Sequence, residues 1–104
     1  MRRAIIYNFG IEAGELYEIE KGRQYKFVYS ENYDGPAVSL TMPVEQKEFE
    51  FEQFPPFFDG LLPEGVQLDA LIRQMKIDKN DYFTQLVQVG KDLVGSVTVE
   101  EIIE

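Results

Sequence analysis

The sequence predicts an α+β domain: a mainly antiparallel β-sheet with two to three short helices. Three observations lead there. Period-two alternation fills much of the first half, most cleanly over 24–29, where Tyr25, Phe27 and Tyr29 oppose Gln24, Lys26 and Val28. The connections between the first three such segments are too short for the crossovers that parallel strands need. Helical spacing appears only later, at Leu68, Leu71, Ile72 and Met75, and a last β-rich run follows it. A chain of 104 residues is expected to form one domain, 1–104.

In order, residues 3–7 are rich in isoleucine and tyrosine and read as a strand, and Asn8-Phe9-Gly10 as a turn. Residues 11–19 form the second strand, with Gly14 marking a bulge or an interruption. Glu20 to Arg23 turns the chain into the third strand, 24–29. Residues 30–36 are a loop of Ser, Asn, Asp, Gly and Pro. Val38, Leu40 and Met42 alternate with Ser39 and Thr41, which predicts a strand over 37–42 ended by Pro43. The run EFEFE at 48–52 predicts a short edge strand whose glutamates deter pairing with other chains.

The densest stretch is FPPFFDGLLPEG, residues 54–65. Pro55 and Pro56 suit a helix start. Phe57, Phe58, Leu61 and Leu62 then make one apolar face, and Pro63 ends the helix. The exit Pro63-Glu64-Gly65 is polar and bent, which suits a loop presented to a partner. Beyond it, the amphipathic helix around Leu68–Met75 precedes Asp78, an expected N-cap with Asp81 as the capping-box acid. Phe83, Leu86 and Val87 face the core from the next helix, with Gly90 at its C-terminal cap position. Residues 93–99 predict a last strand, in which Gly95 suggests close approach of another backbone, and 100–104 a tail. These periodicities predict one core holding Leu61, Leu62, Leu68, Leu71, Ile72, Phe83, Leu86 and Val97 with Phe27 and Leu40.

FFDGLLPEG, with AVSLTMP before it and FTQLVQVGKDLVGSVTV after it, closely resembles the N-terminal subdomain of HipA-type serine/threonine kinases. The three blocks keep their order over residues 25–99. The resemblance implies the HipA N-terminal subdomain fold. Ending at Glu104, where such a kinase continues into its catalytic domain, the chain is similar to the HipS antitoxins of HipB–HipS–HipT systems. That likeness implies a protein that binds and neutralises a HipT-like kinase toxin, with a HipB-like helix-turn-helix DNA-binding protein as a further partner in a ternary complex. The expected partner-binding residues are Asp59, Pro63, Glu64, Gly65, Val66, Gln67 and Leu68. One departure lies inside them. Kinase-linked copies usually carry an arginine soon after LLPEG, whereas here Val66, Gln67 and Leu68 follow and the first arginine is Arg73.

Composition narrows the classes of function. There is no cysteine and no histidine, which removes the disulfide framework, the thiol nucleophile and the commonest general base and metal ligand. The formal charge is −9, from 19 acidic against 10 basic residues, which disfavours binding to phosphate backbones; by itself it serves solubility, and it also suits a basic protein partner. No signal-peptide core and no run of about 18 apolar residues is present, so a cytoplasmic protein is expected.

Catalytic patterns fail in turn. GKDLVGS, residues 90–96, lacks a lysine before the hydroxyl residue and runs from helix into strand, the reverse of a phosphate loop. Asp78 to Asp81 has no glycine where a calcium loop needs one. The nucleotide-binding parts of a kinase belong to the region that this chain lacks. No catalytic residue, cofactor or metal is expected, and the chain is not expected to be an enzyme. The alternatives are a non-inhibitory subunit completing a split HipA-type kinase, and a small acidic ligand-binding domain or hydrolase.

Overall fold

The sheet begins with a hairpin. Ala4, Ile6 and Asn8 are buried and alternate with half-exposed Arg3, Ile5 and Tyr7, which makes Arg2–Asn8 a strand with one covered face, β1. Phe9 and Gly10 both take positive φ, 53° and 79°, as a two-residue hairpin loop requires. β2 is Ile11–Glu20 and β3 is Gln24–Tyr29. The computed structural model describes residues 1–93 and 95–103. Positions 94 and 104, expected in the last strand and the tail, lie outside the described residues.

The bulge predicted at Gly14 is present. Ile6 pairs with Gly14 but Tyr7 pairs with Glu12, so Ala13 is the extra residue. A Cβ on Gly14 would stand 2.2 Å from the Val28 carbonyl oxygen, so only glycine admits β3 at this distance. The EFEFE run forms β4, Glu48–Phe51, at the sheet edge as expected. β5, Val97–Ile102, returns to pair with β1. The order is β4-β3-β2-β1-β5 with every neighbour antiparallel.

Helices cover one face. α1 is Pro56–Asp59, α2 is Gly65–Met75 and α3 is Tyr82–Val89. Phe58 of α1 lies 5.9 Å from Phe27 between ring centroids, and Phe83 and Leu86 of α3 are fully buried. Ile6, Leu16, Tyr25, Val97 and Val99 complete the core from the sheet side. The expected α+β fold with a mainly antiparallel sheet is therefore the observed one.

Five local expectations are corrected. Residues 37–42 form a tight turn closed by a Ser39–Met42 bridge, because Ser39 Oγ accepts from the Thr41 N–H at 3.2 Å and offers the backbone an alternative to a ladder. Val38 and Met42 still point inward, while Leu40 sits fully exposed at the tip and is not a core residue. Leu68, Leu71 and Ile72 are only half-buried, and no residue of α2 is buried. The N-cap of α3 is Asp81, whose side chain accepts from Thr84 N, while Asp78 Oδ1 takes the Asn80 N–H at 2.8 Å in a local turn. Gly90 ends α3 as expected, but the close backbone approach expected at Gly95 falls on Gly90 instead. Gly90 is right-handed, and its Cβ would stand 2.1 Å from the Val99 carbonyl oxygen; Gly95 has open space but a φ of +104°. The last strand also starts later than expected, at Val97, and takes in residues assigned to the tail.

Candidate partner interface

The stretch that leads into α2 is anchored from below. Pro55 precedes α1 with Pro56 as its first residue, and Phe58 is buried beneath it. Turns carry the chain onward, with Leu61 N–H bonded to Phe58 O and Leu62 N–H to Asp59 O, both at 3.1 Å. The buried Leu62 then fixes the approach. Pro63 is half-buried, and Glu64 is extended at φ −129° and ψ 162° as the N-cap of α2, without a side-chain capping bond.

Helix formation begins sooner than the sequence suggested. Gly65 is the first residue of α2, at φ +59°. The loop expected at Pro63-Glu64-Gly65 is therefore only Pro63 and Glu64, and Gly65, Val66 and Gln67 form the first helical turn. The far end is held by Ile77, which is buried and whose N–H bonds to Ile72 O at 3.0 Å. Lys76 reverses the chain there in the left-handed conformation.

Between these two anchors α2 stands partly uncovered. Leu68, Leu71 and Ile72 are mostly covered but partly exposed, and Met75 is 48 % exposed. These four share one face at helical spacing. Val66, 83 % exposed, lies on the opposite side near Ala70 and Arg73. Of the expected partner-binding residues, Asp59, Glu64, Gly65, Val66 and Gln67 are exposed and Pro63 and Leu68 are half-buried. Residues 63–68 are contiguous at the start of α2, and Asp59 stands apart at the end of α1. Leu71, Ile72 and Met75 continue the face of Leu68, opposite Val66. Sequence reasoning assigned the first two to the core, because an apolar stripe reads alike whether its own chain or another covers it.

A charged cluster ties α3 to the sheet. Arg2 bonds Glu18 at 2.7 Å, Asp81 at 2.8 Å and Thr84 Oγ1 at 2.6 Å, and its guanidinium lies 4.9 Å from the Phe83 ring centroid. Glu18 is nearly fully buried and also accepts from Tyr25 OH at 3.2 Å. Burial pushes the Asp81 carboxyl up, but bonds from Arg2 and Thr84 outweigh it and hold it below the ordinary value. Burial beside Glu18 raises the Tyr25 phenol to about 12. These groups are bound to one another inside the fold, and the arrangement is structural. Among the described residues, no group of three or more acidic side chains is placed to hold a metal, and no helix is long and apolar enough to cross a membrane.

Comparison with known proteins agrees with this architecture. A sequence model of the HipA N-terminal domain matches residues 4–100. An uncharacterised protein of Haemophilus influenzae (strain ATCC 51907 / DSM 11121 / KW20 / Rd) is 31% identical over 101 residues, spanning 97% of this chain and 93% of its own length. A solved structure described as the N-terminal domain of HipA toxin superposes with a TM-score of 0.80 at 28% identity, covering 100% of this chain and 95% of that one.

Proposed function

Because the chain belongs to the HipA N-terminal domain family, we propose that it is an antitoxin that binds and neutralises a HipT-like serine/threonine kinase toxin. The carrying observation is α2: a helix anchored at both ends by Leu62 and Ile77, with no buried residue and an apolar face that its own chain leaves partly exposed, Met75 most of all. Burying Leu68, Leu71, Ile72 and Met75 against a partner removes apolar surface from water, a gain of about 25 cal/mol per Å² before association costs.

The mechanism is occlusion by docking. Pro63 and the Glu64 cap are held in one shape by the anchors, so little ordering entropy is lost on binding. Glu64 offers a carboxylate to a basic group near the kinase nucleotide site, and Val66 supplies a small apolar contact. The net charge of −9 steers the encounter toward a basic surface. The protein acts by binding, in the cytoplasm, with a HipB-like DNA-binding protein as a third component of the complex.

Growth on co-expression with a HipT-like kinase from the same genome tests this. The wild-type chain should restore growth, and Glu64→Lys combined with Val66→Asp should abolish rescue while leaving the melting curve unchanged. Full rescue by the double variant would place the interface elsewhere. Failure of rescue by the folded wild-type chain, despite binding, would favour a subunit that completes the kinase without inhibiting it.

A further inference from the structure

We propose a second docking site, independent of α2: the outer edge of β4 accepts an extended polypeptide segment in which lysine or arginine alternates with apolar residues, as a sixth strand of the sheet. β4 ends the strand order, so only β3 pairs with it. The phase of its ladder follows from one bond. Tyr29 N–H donates to Lys47 O at 2.9 Å, which makes Tyr29 and Lys47 a bonded pair. By alternation, Phe49 and Phe51 bond toward β3, and the backbone groups of Glu48 and Glu50 point outward. Gln46 Nε2 already occupies Glu48 O at 3.1 Å. The Glu48 N–H and both backbone groups of Glu50 are left as a short open template.

The two faces of that edge specify the incoming side chains. On the helix side, a groove of about 260 Å³ runs beside the strand, lined by Met42, Gln46, Phe49, Phe51 and Phe57 among others, with Glu50 also in its lining although strand alternation sets its side chain on the other face. On the opposite side stand Glu48 and Glu50, where Lys26 bonds Glu48 at 2.9 Å. Neither Glu50 nor Glu52 forms a salt bridge among the described residues. In an added strand, the residue beside Glu50 shares its face and its neighbours point to the groove. A basic residue therefore meets Glu50, and an apolar one on either side meets the Phe49–Phe51 groove. A second copy of this chain does not fit, because self-pairing sets glutamate beside glutamate. The open edge and groove define the site, and the carboxylates set the charge of its occupant.

The probe is a fluorescein-labelled, end-blocked peptide of about eight alternating lysine and valine residues, the length of an ordinary strand. Two controls accompany it: glutamate in place of lysine, and the same residues in two blocks. The alternating peptide should bind in anisotropy titrations, weaken with added salt, and move amide resonances at 46–52 but not at 65–75. Glu50→Lys should weaken it about tenfold or more, as loss of a facing charge pair does. Glu50→Pro removes an outward N–H without touching the β3 ladder and should abolish binding; where that variant does not fold, Glu50→Lys decides. Equal binding of either control peptide, resonance changes confined to other strands, or no binding would overturn the proposal.

Discussion

Arg2 is the side chain through which the first strand and the last helix hold each other. It binds Glu18 of β2 and the Asp81 cap of α3 at once. Asp81→Ala should therefore cost about 1–2 kcal/mol at neutral pH, the range of a lost N-cap, as read in urea melts. The sign of its pH dependence is fixed by its depressed folded-state pKa. The stabilisation is complete above the ordinary carboxylate value and is lost as pH falls through the folded-state value. The gap between wild type and Asp81→Ala should narrow as pH is lowered from about 7 towards 2.5. A gap independent of pH would mean that the carboxylate charge contributes nothing. Sequence alone placed this cap three residues too early. Asp78 and Asp81 fit the same pattern, and their hydrogen bonds separate them: Asp81 accepts from Thr84 N, whereas Asp78 accepts from Asn80 N. The close backbone approach was set at the wrong glycine for a similar reason: a sequence marks where glycine is needed, while the fold decides between crowding at Gly90 and positive φ at Gly95.

Among the elements, the strands were the most legible, because one-sided burial imposes alternation on β1, β3 and β4. The segment 37–42 alternates equally well, yet Ser39 bonds within its own turn and Leu40 goes to solvent. Periodicity records which side chains face inward and carries no information on whether a neighbouring strand lies alongside. α2 makes the same point for helices, since its spacing was correct and its covering was not. Phe58 and Leu71 make the contrast measurable. Phe58→Ala should cost about 3–5 kcal/mol in a denaturant melt, as buried phenylalanine truncations do. Leu71→Ala should cost less than about 1 kcal/mol in the isolated chain, because Leu71 is only half-buried, and should weaken binding to the kinase. A loss for Leu71→Ala as large as for Phe58→Ala would show that α2 is covered by its own chain.

At the scale of the whole molecule, a five-stranded sheet carries helices on one face, an open β4 edge at one side, and α2 standing out between two anchors. Family membership was legible from FFDGLLPEG and its flanking blocks, which span anchors, loop and helix start together. The surface proposed for the partner was legible only in part. Its loop residues carry distinctive backbone chemistry, whereas Leu71, Ile72 and Met75 carry the pattern of any core-facing helix. Amide hydrogen exchange with and without a HipT-like kinase tests the central claim most directly, because it reads every element of the folded chain at once. Added kinase should slow exchange across residues 63–75 by at least about tenfold, since docking shields the weakly covered helix. Unchanged exchange at 63–75, with new protection confined to β1, β2 or β4, would contradict the assignment of α2 as the kinase-docking surface.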